Sequence, residues 1–231
     1  MFDLHGYGWM ILDGVQVTLL VGLAAMVGAI AVGLAAALAK LFGSRIARGT
    51  VEVYTTIVRG VPELVLLLLV YYGVPTLIQD TAAAMGREIE VTINPFVAGV
   101  GTITFIYGAF ASEVFRAAYL AVPKGQFEGA TALGLNRYLV FRLVVLPQML
   151  RHALPGLGNL WMVLIKATAL ISVIQLPELM RSADVAARTT RMPFTFFFVA
   201  CLIYLAITLT SMWLQSRAEA WASRGIERTQ A

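Results

Sequence analysis

Five long apolar stretches, separated by shorter polar segments, dominate the pattern of this chain. They cover residues 14–39, 64–79, 91–112, 153–177 and 192–216. A helix needs about 20 apolar residues to cross the hydrocarbon core of a bilayer, because each residue rises about 1.5 Å. The second stretch reaches that length only when it is extended back through Pro62 and Val61. The pattern therefore predicts an all-α polytopic membrane protein with five transmembrane helices.

Composition supports this prediction and narrows the chemistry. Hydrophobic residues make up 59% of the 231 residues and charged residues only 13%, whereas a soluble domain carries about 25% charge. Cys201 is the single cysteine and lies in an apolar stretch, which excludes an internal disulfide. His5 and His152 have no cysteine or histidine at ligand spacing, so no metal site is expected. The net charge of +4 suggests nucleic acid only weakly.

The basic residues are distributed unevenly between the two sides of the predicted bundle. Residues 40–59, 113–151 and the tail after residue 216 hold 12 lysines and arginines, and the segments on the other side hold 4. Cytoplasmic loops carry the excess of positive charge, so the N-terminus is expected outside and the C-terminus in the cytoplasm. No lysine or arginine precedes the first stretch, which is also too long for a signal peptide. One transmembrane domain, 1–231, is expected.

The segment 120–150 carries the most distinctive motif, between the third and fourth spans. Pro123 can open a helix, and Gly134 can end it in the left-handed conformation. One face of this helix then carries, at helical spacing, Phe127, Ala130, Thr131 and Gly134. The motif continues at Leu146-Pro147, twelve residues after Gly134. A face of small residues suits close entry into a groove on another protein. The alternative is an ordinary hairpin at the membrane surface.

This motif resembles the coupling motif of the permease subunits of bacterial ABC importers. In that family the pattern is Glu-Ala-Ala, three residues, Gly, nine residues and Ile-x-Leu-Pro. Glu128, Ala130, Gly134 and Leu146-Pro147 match it, while Gly129 replaces an alanine and Val144 an isoleucine. The resemblance implies a coupling loop at 120–150 that contacts an ATPase through Phe127, Glu128, Ala130, Thr131, Gly134 and Arg137.

Three further segments are similar to permeases for polar amino acids. They begin at Arg59-Gly60-Val61-Pro62, at Tyr107-Gly108-Ala109 and at Lys166-Ala167-Thr168. The resemblance implies a type I importer subunit in the bacterial cytoplasmic (inner) membrane that carries amino acids, basic ones of the histidine, lysine, arginine, ornithine or opine kind. It also implies three partners besides membrane lipid, namely an ATP-binding subunit dimer, a second permease (self or homologue) and a periplasmic solute-binding protein.

The chain itself is expected to hold no cofactor and to be no enzyme. It contains no Gly-x-x-x-x-Gly-Lys-Ser/Thr sequence, the loop that cradles nucleotide phosphates, so ATP and magnesium would bind to the partner subunit. Transport would follow alternating access, driven by ATP hydrolysis in that subunit. Two rival functions stay open. One is a non-conducting membrane scaffold, and the other is an ion-coupled secondary transporter, which usually shows internal repeats.

Polar side chains inside the apolar stretches are the candidates for a solute pathway. A charge at the centre of a membrane helix costs about 2.5–3.5 kcal/mol on insertion scales, and Lys166 lies deep in the fourth stretch. It is expected to meet a solute carboxylate or to form an ion pair in the path, the alternative being a structural pair or snorkelling. Thr168 and Ser172, one turn apart, line a polar track or bond backbone carbonyls.

Three more candidates come from the second and third stretches. Glu113 either faces the pathway and selects cations or pairs locally with Arg116 three residues later. Glu63 begins the second span beside Pro62, where a helix N-terminus stabilises a carboxylate. The predicted pathway set is therefore Glu63, Tyr107, Glu113, Lys166, Thr168 and Ser172.

Overall fold

The computed structural model describes residues 4–222, and within them all regular structure is helical. Five helices are long and apolar enough to cross a membrane, which confirms the predicted fold class. The eight helices in chain order are α1 (Gly8–Phe42), α2 (Arg45–Gly60), α3 (Glu63–Ala84), α4 (Pro95–Leu120), α5 (Lys124–Ala132), α6 (Arg137–Ile174), α7 (Leu179–Thr190) and α8 (Pro193–Ala222).

Helix α4 is the centre of the bundle, and α3 and α8 are at its outside. In the most apolar 18 residues of each helix, 56% of the residues of α4 are buried, whereas 6% are buried in α3 and 11% in α8. Helix α1 lies along α4 at very short range. A Cβ added at Gly33 would come within 2.5 Å of the Cβ of Ala111, so only glycine permits this approach.

Capping side chains decide where two of the spans begin. The Asn94 side chain accepts a hydrogen bond from the N–H of Phe96 at 2.8 Å, so α4 begins at Pro95 and the predicted start at residue 91 is wrong. The Asn136 side chain accepts from the N–H of Leu139 at 3.0 Å. Helix α6 therefore begins well before the predicted 153, and much of the segment assigned to a loop belongs to this span.

Residues 40–59, predicted as a loop, mostly form helix α2. Ser44 caps it by accepting from the N–H of Ala47 at 3.3 Å. The helix packs beside α1 and α4, where the Tyr54 hydroxyl donates to the carbonyl of Phe105. A search for apolar runs misses this helix because its composition is polar. The tertiary contacts with α1 and α4 stabilise it instead.

Helix α2 ends at the level of the middle of α4, and α3 continues the crossing. Proline disfavours helical backbone angles at the residue that precedes it. Val61, which precedes Pro62, accordingly has an extended backbone. Glu63, the first residue of α3, reaches Tyr107, which is in the middle of α4. The second crossing of the bundle thus consists of two helices joined at mid-height.

Two spans contain a wide turn, of π-helical geometry, shortly before a proline. The turn Leu69–Gly73 precedes Pro75 in α3, and the turn Val140–Val145 precedes Pro147 in α6. Proline has no N–H for the carbonyl four residues earlier, and a single π turn accommodates the missing bond without ending the helix. The Leu-Pro pair of the coupling motif therefore lies inside a continuous span.

Residues 178–191, also predicted as a loop, contain helix α7. Its apolar side packs on the start of α1 and of α8 in a second small core that includes Ile11, Leu179 and Phe196. Glu178 caps α7, since its carboxylate accepts from the N–H groups of Met180 and Arg181 at 2.8 and 2.7 Å. This side chain is fully buried, and sequence reasoning missed it.

The buried carboxyl of Glu178 makes stability depend on pH. Burial raises its pKa from 4.5 to about 7, although the N–H groups of Met180 and Arg181 and the hydroxyls of Tyr204 and Thr18 pull the other way. Between these values the native chain keeps the proton and the unfolded chain releases it. The free energy of unfolding is therefore expected to fall as pH rises from 4.5 to 7, by up to about 3 kcal/mol.

Unfolding of the solubilised protein at pH 5 and at pH 8 measures this effect. Glu178→Gln should flatten the difference between the two conditions. Glu52→Gln, which changes an exposed carboxyl on α2, serves as the control and should leave the difference intact. An unchanged pH difference in Glu178→Gln would show that Glu178 does not titrate in this range.

Candidate coupling helix and solute path

Helix α5 projects from one end of the bundle with the bounds that its sequence predicts. It starts after Pro123 and stops before Gly134, whose φ of 81° is the expected left-handed stop. The Thr131 hydroxyl bonds the carbonyl of Phe127 at 2.8 Å within the helix. The local helix prediction is therefore confirmed.

Part of the face of α5 that was expected to enter a partner is turned toward its own bundle. Ala130 is only 6% exposed, and the Phe127 ring lies 5.9 Å from that of Tyr119 on α4. Phe127, Thr131 and Arg137 line a cavity of about 510 Å³ between α5 and the ends of α1, α4 and α6. Shared helical spacing placed these residues together correctly, but the bundle covers Ala130 and part of Phe127, while Thr131 and Gly134 stay exposed.

The opposite side of α5 is free to meet another protein. Glu128 and Gly129 are exposed, and Leu133 at the end of the helix is 83% exposed. A large aliphatic side chain gains from being buried against a partner, and Gly129 permits close approach there. We call Glu128, Gly129 and Leu133 the outward face of α5.

Helix α5 is tied to the span that follows it. The Gln148 amide of α6 donates to the side-chain oxygen of Gln126 at 3.3 Å and to the carbonyl of Val144 at 2.9 Å. Ala130 and Phe127 add apolar contacts with the main core. A displacement of α5 is therefore expected to move α6 as well.

A charged network joins α1, α2 and α4 near the same end of the bundle. The Lys40 ammonium lies 2.6 Å from the Glu113 carboxylate and 2.8 Å from the Thr55 hydroxyl. Arg116 pairs with the other Glu113 oxygen at 2.9 Å, as its spacing predicted. Both oxygens of Glu113 are thus occupied by cations of this chain, which favours the structural alternative. Cation selection by Glu113 stays a prediction.

Glu63 and Tyr107 meet in the middle of the bundle. The Tyr107 hydroxyl lies 3.2 Å from the Glu63 carboxylate, and Tyr107 is only 1% exposed. Beside them is a void of about 10 Å³ lined by Glu63, Thr102 and Ala167, and the buried Thr102 hydroxyl has no partner among the described residues. The void has about the size of one water molecule.

Lys166 differs from the neighbouring candidates on α6. Its side chain is exposed, and it has no bonding partner in the described chain. The hydroxyls of Thr168 and Ser172 instead bond the carbonyls of Ile165 and Ala169, both at 2.7 Å. Thr168 is fully buried. Because Ala167 shares the void with Glu63, Lys166 lies at the depth of Glu63.

No group of three metal-ligating side chains occurs within residues 4–222. Five spans carry a short surface helix at one end, and the exposed Lys166 lies at the depth of the Glu63–Tyr107 pair. These features define a membrane permease.

The chain belongs to the family described as binding-protein-dependent transport system inner membrane component, whose sequence model matches residues 29–224. It is therefore an inner-membrane transport subunit, as the motif of α5 indicated.

Relatives at 37–42% identity match nearly the whole chain. The histidine/lysine/arginine/ornithine transport system permease protein HisQ of Escherichia coli K12 is 42% identical, covering 97% of this chain and 98% of HisQ. The nopaline transport system permease protein NocQ of Agrobacterium fabrum C58 is also 42% identical, covering 96% and 94%. The octopine transport system permease protein OccQ of Agrobacterium tumefaciens Ach5 is 37% identical, covering 98% and 96%.

Solved structures show the same arrangement. A crystal structure of an amino acid ABC transporter with histidines matches with a TM-score of 0.81 at 32% identity, covering 93% of this chain and 94% of the other. The MetNI methionine ABC transporter, in an inward-facing conformation, matches with a TM-score of 0.72 at 17% identity, covering 94% and 98%. At 17% identity, the similarity to MetNI shows a shared fold alone.

Proposed function

We propose that this chain is the membrane subunit through which an ATP-driven importer passes amino acids, basic ones in particular. The N-terminus lies outside and α5 lies in the cytoplasm, in accordance with the excess of basic residues on the α5 side. Relatives named for histidine, lysine, arginine and ornithine or for opines support the solute class.

The observation that carries this proposal is the outward face of α5. It presents an apolar side chain that is 83% exposed at the end of a helix bonded to α6. Such an arrangement serves a subunit that is moved by another protein. The ATP-binding subunit dimer supplies that motion and holds ATP and magnesium, since no phosphate-binding loop occurs in this sequence.

The remaining partners follow from the exposed surfaces of the bundle. A second permease subunit, identical or homologous, completes the enclosure of the solute path. A periplasmic solute-binding protein delivers solute at the α7 end. Lipid covers the outer apolar faces of α3 and α8, which are the least buried spans.

Glu63 and Lys166 support an amino acid as the solute. An amino acid carries an ammonium and a carboxylate, and these two side chains provide the opposite charges at one depth of the bundle. Tyr107 holds the Glu63 carboxylate in place. Alternating access would expose this level first to the outside and then to the cytoplasm.

Disulfide crosslinking tests the contact between α5 and the ATP-binding subunit. The background is Cys201→Ala, which removes the single native thiol. Leu133→Cys is expected to crosslink to cysteines placed in the groove of that subunit, with a yield that changes when ATP is added. Ala130→Cys is the control on the same helix, and it should crosslink poorly because that position is covered. A transporting complex without Leu133→Cys crosslinks would refute the contact.

A further inference from the structure

Helices α6 and α8 leave an open groove between them near the α5 end of the bundle. Its volume is about 620 Å³, which lies in the range of about 300–1,000 Å³ that is typical of ligand sites. We call it the α6–α8 groove. Its walls include Leu150, Arg151, Leu154 and Leu157 of α6 and Trp221 of α8. Leu150 is 50% exposed and Trp221 is 69% exposed, so the groove is open to the surroundings of the bundle.

The two helices touch at the end of the groove that is farther from α5. The Trp161 indole donates to the Ser211 hydroxyl at 2.9 Å, and Gly158 leaves room for the Gln215 side chain against the backbone of α6. The Gln215 amide also donates to the carbonyl of Pro155 at 3.4 Å. These contacts hold α6 and α8 in place, so the groove beside them is a built feature of the fold.

The depth of the groove matches the boundary between the hydrocarbon core and the lipid headgroups. Lys166, at the level of the middle of the bundle, is about 13 Å along α6 from Leu157 and about 22 Å from Arg151. The hydrocarbon core extends about 15 Å from its middle, and the headgroups reach about 20–22 Å. Leu157 therefore lies in hydrocarbon and Arg151 among headgroups. Trp221 is at the same end as Arg151, and tryptophan is enriched at this boundary.

A single cation marks the headgroup end of the groove. Of the described residues that line it, Arg151 alone is charged. Its side chain is exposed and has no bonding partner within residues 4–222. Glu219, in the last turns of α8, already accepts from the Gln215 amide at 2.7 Å. A guanidinium presents its N–H groups in a fork that matches a phosphate group, so Arg151 is available to an anionic ligand.

A lipid with an anionic headgroup fits both parts of the groove. An apolar helix of a second subunit would cover Leu150 and Trp221, but it would bury Arg151 without a counter-charge, which is costly. Water would leave the leucine side chains of the groove without apolar contacts, whereas an acyl chain buries them. Basic pockets between transmembrane helices bind anionic lipid headgroups for the same reason.

We infer that the α6–α8 groove binds one anionic phospholipid from the leaflet on the α5 side. An acyl chain lies along Leu154 and Leu157, and the phosphate bonds the Arg151 guanidinium. The site needs neither the solute nor the ATP-binding subunit. It is nevertheless close to α5, because Gln148, three residues before Arg151, bonds Gln126 of that helix. The lipid therefore supports the part of α6 that carries α5.

Native mass spectrometry of the whole transporter, titrated with phosphatidylglycerol in neutral detergent, measures this binding. Arg151→Gln should raise the Kd for the tightest-bound phosphatidylglycerol about tenfold, because it removes the charge-assisted hydrogen bonds to the phosphate. Arg142→Gln is the matched control. Arg142 is also an exposed arginine of α6, but it is not among the residues that line the groove, so its loss should leave the Kd unchanged. Equal Kd values in the two variants would overturn the inference.

Three further measurements test the identity of the ligand. Phosphatidylcholine with the same acyl chains should bind the unmodified transporter about tenfold more weakly than phosphatidylglycerol, and Arg151→Gln should remove that preference. Leu154→Trp, which fills the apolar part of the groove, should weaken phosphatidylglycerol binding although Arg151 is retained. Glycerol 3-phosphate, which has the phosphate but no acyl chain, should not displace the lipid at millimolar concentration.

Each of these measurements has an outcome that excludes the lipid site. Displacement by glycerol 3-phosphate would show a site for free phosphate esters. Equal binding of phosphatidylcholine and phosphatidylglycerol to the unmodified transporter would show that Arg151 meets no headgroup, as when a second subunit covers the groove. An unchanged Kd in Leu154→Trp would place the acyl chain outside the groove.

Discussion

Leu133→Asp is expected to reduce ATP-driven uptake about 100-fold while leaving the permease folded. The Leu133 side chain is 83% exposed at the end of α5, so the fold of this chain does not depend on it. In the proposed contact it is buried against the ATP-binding subunit, where a carboxylate would lose its water without gaining a partner. The loss of a buried anchor side chain typically costs about 2–4 kcal/mol of binding.

The measurement is uptake by vesicles, together with the amount of ATP-binding subunit that co-purifies with the permease. Both should fall in Leu133→Asp. Met85→Asp is the control, because Met85 is a comparably exposed apolar residue, 74%, just after α3 and away from α5. It is expected to leave co-purification intact. Equal retention of the ATP-binding subunit in both variants would remove Leu133 from the interface.

Glu113→Gln is expected to destabilise the bundle by about 3 kcal/mol, since removing one partner of a buried ion pair strands the other. The stranded group is Lys40, whose side chain is only 8% exposed and lies 2.6 Å from the carboxylate. Its remaining contact, the Thr55 hydroxyl, is neutral. Glutamine keeps the shape of the side chain, so the loss reports on charge.

Arg116→Gln provides the matched control within the same network. The Arg116 side chain is 41% exposed, and exposed ion pairs contribute about 0–1 kcal/mol. Chemical unfolding in mixed micelles should therefore show a much larger loss for Glu113→Gln. Similar losses in the two variants would mean that Lys40 finds another counter-charge.

The sequence predicted the number of spans and the bounds of α5 well, because both depend on local signals. A run of apolar residues reports a membrane helix without knowledge of its neighbours. Pro123 and Gly134 likewise set the ends of α5 through their own backbone limits. The family resemblance added the inner-membrane transport function, which the family match confirms.

The features that the sequence did not predict depend on contacts between distant segments. Helices α2 and α7 are too polar to stand out, and their partners on α1, α4 and α8 stabilise them. Helical spacing grouped Phe127 with Ala130, but it gave no sign that the bundle covers them. Lys40 was read as a loop residue, and its pairing with Glu113 connects positions 73 residues apart.

The break at Val61 and Pro62 has a consequence for how this protein enters the bilayer during synthesis. Helix α2, with 16 residues, is about 24 Å long, too short to cross alone, and it carries Arg45, Arg48, Glu52 and Arg59. A translocon that sorts segments by hydrophobicity has little reason to release it into lipid. Its place beside α1 and α4 must come from assembly after insertion, when Lys40 and Phe105 become available to Thr55 and Tyr54.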